Sequence, residues 1–170
     1  ALLSDIATYS FHAVKNLTTA EGGALCFNLP EEFDHDVIYK EICVKILHGQ
    51  TKDALAKTQK GNWKYDVEEP GFKCNMTDLQ AAIGLVELER YQENLDRRKS
   101  IFMQYDVAFN NKSWAILPLY ETEHKTSSYH LYLLRIKDAT EVQRDAIIYE
   151  IFEQEVSVNV HFQPLPILTA

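Results

Sequence analysis

Two short runs near the start of the chain, Ile6-Ala7-Thr8-Tyr9-Ser10-Phe11 and Gly23-Ala24-Leu25-Cys26-Phe27-Asn28, alternate in the manner of strands and are rich in aromatic and β-branched residues. What joins them constrains the fold most. The connection His12-Ala13-Val14-Lys15-Asn16-Leu17-Thr18-Thr19-Ala20-Glu21-Gly22 is polar, and loops of that length persist in compact domains when they carry function. Lys15 is therefore expected between strands and not on a helix face.

Further along, Phe33, Val37, Ile38, Ile42, Ile46 and Leu47 recur at helical spacing behind Pro30 and the acidic Glu31-Glu32, and His48-Gly49 closes that segment. From 50 to 75 the periodicity dissolves, with Pro70-Gly71 as punctuation, which predicts a long irregular loop. Thr77 or Asn75 is placed to cap the next helix, whose stripe of Leu79, Ala82, Ile83, Val86, Tyr91 and Leu95 runs on through Ile101, Phe102 and Tyr105. Unbroken, that helix would be about 50 Å long, so it is expected to bridge two regions or to bend. A domain boundary is expected near Asn111, giving domains over 1–111 and 112–170. In the second, 129–136 reads as a strand, 140–155 as an amphipathic helix and 157–162 as another strand.

Composition narrows the function classes. A formal charge of -8, from 17 basic and 25 acidic residues, excludes a wide basic footprint for nucleic acid or anionic lipid, and leaves room for a small positive pocket. No apolar run approaches the roughly 18 residues of a membrane span, and the start lacks the layout of a signal peptide, so a cytoplasmic protein is expected. Cys26, Cys43 and Cys74 are odd in number and widely spaced, which predicts three reduced, mostly buried thiols and neither a disulfide framework nor a metal site.

A lysine attacks carbonyls when its surroundings favour the neutral amine, and Lys15 has polar neighbours in Asn16, Thr18 and Thr19. Gly22-Gly23 permits close backbone approach to a ligand. On these features alone a solvated surface lysine is the commoner reading.

The motifs extend well beyond one lysine. Ser10-Phe11-His12-Ala13-Val14-Lys15-Asn16-Leu17-Thr18-Thr19-Ala20-Glu21-Gly22-Gly23 closely resembles the S-F-H-x-x-K-N-x-T-T-x-E-G-G motif of the DegT/DnrJ/EryC1/StrS aminotransferases. Downstream, Pro70-Gly71-Phe72-Lys73-Cys74-Asn75-Met76-Thr77-Asp78-Leu79-Gln80-Ala81-Ala82-Ile83-Gly84-Leu85 resembles the family's G-Y-K-Y-N-M-T-D-x-Q-A-A-x-G-L motif, with Cys74 in place of tyrosine. The resemblance covers essentially the whole chain. It implies an α/β fold: part of the large domain of a pyridoxal-phosphate-dependent transferase of type I, the aspartate aminotransferase-like class, plus an incomplete α+β small domain.

By position, the resemblance implies that Lys15 binds pyridoxal phosphate covalently and later shuttles a proton, and that Ser10 hydrogen-bonds the cofactor phosphate. Asn75 matches an asparagine that reaches the phosphate of the neighbouring subunit, which implies a homodimer with shared sites. His161, in a V-x-x-H-F/Y-x-P-L pattern matched by Val158, His161, Phe162, Pro164 and Leu165, matches a histidine near the nucleotide-sugar site; His12 is given no chemical step. A related sugar dehydratase carries histidine where Lys15 stands, so amino transfer from an amino acid such as glutamate to a nucleotide-linked keto-sugar is the implied reaction. The chain amounts to somewhat under half of a typical member, so a fragment of a larger protein, inactive alone, is expected. The alternative is a non-catalytic remnant or oligomerising scaffold that no longer binds the cofactor.

Overall fold

Of the 170 residues, the computed structural model describes 4–51, 60–61 and 63–169. The alternating runs form strands β1 (Ile6–Ser10) and β2 (Gly23–Phe27), paired antiparallel with Ile6 opposite Phe27 and Ser10 opposite Gly23. Helix α1 (His35–Lys45) starts two residues later than the apolar periodicity, at Phe33, suggests. Asp34 sets that start: its carboxylate accepts from the amides of Asp36 and Val37, both at 3.1 Å, as an N-cap does.

The segment read as one irregular loop has a bonded base. Gly49 accepts from the amide of Glu68 at 3.0 Å, His48 donates to Phe72 at 2.9 Å, and Cys74 donates to Ile46 at 2.9 Å. Helix α2 (Asp78–Glu89) follows, closed at its N-terminus by a capping box in which Thr77 and Gln80 bond each other's backbone amides. Of the two expected caps, Thr77 is the one used.

The expected break in the long apolar stripe falls at Arg90, whose φ of -98° and ψ of 5° leave the helical region, and α3 (Tyr91–Phe109) resumes at once. Two compact units divide here, Ala1–Tyr91 and Gln92–Ala170. Helix α3 carries the centre of the second unit's packing. Phe102, 5% exposed, meets the rings of Tyr120, Tyr129 and Tyr132 edge-on at 5.5, 5.3 and 5.1 Å. One turn on, Asp106 accepts from the hydroxyls of both Tyr120 and Tyr132.

Around that cluster lie short strands: β3 (Ala115–Ile116) against β6 (Arg135–Ile136), and β4 (Glu121–Thr122) against β5 (Lys125–Thr126), both pairs antiparallel. Helix α4 (Glu141–Phe152) begins at a second capping box, formed by Thr140 and Gln143. A 3-10 turn at Leu165–Ile167 follows.

Two expectations are corrected here. The strand over 129–136 shrinks to Arg135–Ile136: Tyr129, its ring on Phe102, has a φ of 50° that is closed to an extended strand, and the Leu134 amide bonds the Tyr132 carbonyl at 3.1 Å instead of a neighbouring strand. The strand over 157–162 is irregular; the amide of Val160 bonds the side chain of Asn159 at 2.7 Å instead of a neighbouring strand. The thiols are free as expected, but Cys26 and Cys74 are exposed and only Cys43 is half-buried.

The chain exposes 14108 Å². A compact monomer of its mass would expose about 8,600 Å², and two separate compact halves together about 10,300 Å². The excess includes large apolar side chains such as Leu79, Leu85, Leu119 and Val142.

Two outcomes follow for the second unit. Phe102→Ala should lower its stability by about 3–5 kcal/mol in denaturant unfolding, the usual cost of emptying an aromatic site. Hydrogen bonding to Asp106, then burial, pushes the Tyr120 hydroxyl up to about 12, and burial together with Asp106 raises Tyr132 further. Because the folded values lie above the unfolded one, this contribution is complete below the ordinary tyrosine value of about 10 and is lost as pH rises towards 12. Unfolding free energy should therefore fall over that window, and fall less steeply in Asp106→Asn.

Candidate active site

Lys15 is half-buried in the loop between β1 and β2, and the loop is closed by its own backbone. The amide of Phe11 donates to Gly22 at 2.9 Å, while the carbonyl of Phe11 accepts both the Thr19 amide at 2.9 Å and the Thr18 hydroxyl at 3.1 Å. Within the loop, the Lys15 amide donates to His12 at 2.9 Å, fixing the turn from which the lysine side chain leaves.

Ser10 ends β1, and its Oγ accepts the His12 amide at 3.4 Å, so its hydroxyl proton remains available to a ligand. His12 Nε2 lies 3.5 Å from Glu21 Oε1, a contact across the mouth of the loop, which agrees with a structural part for this histidine. Ser10 thus stands at the end of β1 where the loop begins, and Lys15 follows in the turn that His12 opens.

Glycine is required at the far end. Gly22 has a φ of 148°, and a Cβ there would lie 2.6 Å from Thr19 Oγ1 and 3.2 Å from Met76 Cε. Met76 therefore packs on the lysine loop, while its neighbour Asn75 bonds the Lys73 ammonium. Among the described residues, no contact joins Asn75 to Ser10 or Lys15. Asn75 instead lines a cavity shared with Tyr39, Cys43, Leu47 and Lys73.

His161 belongs to the second unit. Its ring lies 4.1 Å from that of Phe162, and it lines a cavity of about 470 Å³ with Tyr132, Ala139, Ile148 and Ile151. Its segment is irregular, not the strand expected from the sequence. No group of three metal-binding side chains occurs among the described residues, nor is any helix there long and apolar enough to cross a membrane.

Thr19, noted as a polar neighbour of Lys15, and Gln80 and Gly84, which stand in the second motif without an assigned role, join the two motifs. Thr19 is 3% exposed, and Gln80 Nε2 donates to the Glu21 carbonyl at 2.8 Å. The Thr77-x-x-Gln80 spacing is a legible capping signature. The burial of Thr19 leaves no mark in the sequence.

This geometry has close parallels among known proteins. The model of the DegT/DnrJ/EryC1/StrS aminotransferase family matches residues 2–169. The chain belongs to that family. The spore coat polysaccharide biosynthesis protein SpsC of Bacillus subtilis is 36% identical over 168 residues, which are 97% of this chain and 41% of SpsC. The putative sugar aminotransferase Spr1654 from Streptococcus pneumoniae, solved in its PMP form, superposes with a TM-score of 0.90 at 47% identity, covering 98% of this chain and 42% of Spr1654. Its PLP form superposes with a TM-score of 0.88. The fold is accordingly that of the type I pyridoxal-phosphate-dependent transferases, as the motifs implied, and this chain of the DegT/DnrJ/EryC1/StrS family spans about two fifths of the length of these relatives.

The glycine constraint is directly testable in this family member. Gly22→Ala combines a disfavoured φ with a collision against Thr19, and should cost about 1–3 kcal/mol in thermal unfolding.

Proposed function

We propose that this chain is the lysine-bearing part of a pyridoxal-phosphate-dependent sugar aminotransferase, and that the whole protein transfers an amino group from an amino acid such as glutamate to a nucleotide-linked keto-sugar. The observation that carries this reading is the backbone-closed loop that bears Lys15 and leaves directly from Ser10 at the end of β1. The donor set fits the cofactor: Ser10 has a proton to offer a phosphate, Lys15 has an amine for an aldehyde, and Gly22-Gly23 keeps side chains out of the approach.

When bound, pyridoxal phosphate supplies an electron sink for the carbon from which a proton is removed. The chain's own residues supply position and proton transfer. Lys15 would hold the cofactor's aldehyde through its Nζ and, when free, would move a proton between substrate and cofactor carbons as general acid and base. Ser10 orients the phosphate. Asn75, bonded to Lys73 and lining a cavity with Tyr39 and Cys43, serves the phosphate of a second subunit in a homodimer with shared sites. His161 contacts the nucleotide-sugar from the small domain, for which the boundary near Asn111 is retained.

Surface area in excess of a compact monomer favours one other reading, a non-catalytic oligomerising scaffold. Incubation with pyridoxal phosphate, borohydride reduction and peptide mass mapping separates the two. A stoichiometric adduct at Lys15, absent in Lys15→Ala, is expected. Labelling scattered over surface lysines would leave the scaffold reading in its place.

A further inference from the structure

The Glu21 carbonyl accepts two hydrogen bonds, one from Thr19 Oγ1 at 2.8 Å within the lysine loop and one from Gln80 Nε2 at 2.8 Å from the first turn of α2. Gln80 uses its other end, Oε1, to accept the Thr77 amide at 2.9 Å. A single side-chain amide therefore closes the helix cap and ties that cap to the loop.

Contact between the two segments is also tight sterically. A Cβ added at Gly84 would lie 2.8 Å from Thr19 Cγ2, closer than real Cβ contacts come. Thr19, buried against α2 on one side, closes the Lys15 loop on the other through its amide bond to Phe11. Any displacement of α2 thus reaches the loop through Thr19 and Glu21.

We propose that Gln80, Thr19 and Gly84 are positioning residues for Lys15: the first turns of α2 set the closure of the lysine loop through the shared Glu21 carbonyl and the Thr19–Gly84 contact. This rests on the covalent role proposed for Lys15. The three residues act by holding the loop at the geometry from which the amine works.

Gln80→Glu isolates the tie. A glutamate still accepts the Thr77 amide and keeps the capping box, but sets an acceptor oxygen against the Glu21 carbonyl where a donor stood. Gly84→Ala isolates the contact, and Thr19→Ser, which removes Cγ2 and keeps Oγ1, should relieve it. The experiment uses the full-length gene product reconstituted with pyridoxal phosphate. Its readouts are visible circular dichroism of the lysine-bound cofactor, kcat and KM, and thermal unfolding.

Both Gln80→Glu and Gly84→Ala are expected to change the visible dichroism and to lower kcat about 10- to 100-fold, the scale of sub-ångström to 1 Å misplacement, with KM for the sugar little changed. Thr19→Ser should restore the Gly84→Ala variant. Should Gly84→Ala not fold, recovery of folding by Thr19→Ser supports the contact and Gln80→Glu decides the kinetics. Unaltered dichroism and kcat in Gln80→Glu, in a protein whose Lys15 adduct forms normally, overturns the proposal alone. Absence of a Lys15 adduct in the unsubstituted protein overturns the function and the proposal together.

Discussion

The carbonyl oxygen of Phe11 receives the amide of Thr19 and the hydroxyl of Thr18, and that double acceptance shapes the first unit. It pinches off the polar connection between β1 and β2, so that a stretch with few apolar side chains is ordered by its backbone. A carbonyl has two lone pairs, and using both in one place gives a junction that tolerates little slack. The strands bring Ser10 opposite Gly23, the junction closes above them, and Lys15 lies inside. Removed from that frame, the lysine would be an ordinary solvated side chain.

Much of this was legible in the sequence, for identifiable reasons. Strands β1 and β2, helix α1 and the capped start of α2 follow from local alternation, helical periodicity and capping residues, all of which act over a few positions. The bend at Arg90 was expected from length alone. What failed was decided at a distance. Tyr129 looks like a strand residue, but its ring lies on Phe102 and its φ of 50° is closed to an extended strand. The cysteines looked like core residues, yet the chain leaves them on faces it does not itself cover. In the candidate site, Ser10, Lys15 and Asn75 were visible through motif likeness. Thr19 and Gly84 matter through a steric contact that no pattern of residue types announces.

The two units are ordered by different means. In the first, hydrogen bonds to backbone carbonyls and glycines that admit close approach define the geometry. In the second, the rings of Phe102, Tyr120, Tyr129 and Tyr132 pack edge to face, and Asp106 fastens two of them by their hydroxyls. Lys99 adds its ammonium over the Tyr129 ring at 5.8 Å. The polar frame suits a site whose reactive groups need defined directions. The aromatic centre of the second unit depends instead on ring packing, with the Tyr120 and Tyr132 hydroxyls bonded to Asp106.

The bonded base of the segment after α1 is a clamp. A Cβ at Gly49 would sit 1.7 Å from the Glu69 carbonyl oxygen, and one at Gly71 would sit 2.3 Å from the Gly49 nitrogen, so two bare backbones cross there in contact. The Thr51 amide donates to Asp66 at 3.0 Å just beyond. The clamp thereby fixes the path by which the chain returns from α1 to Asn75.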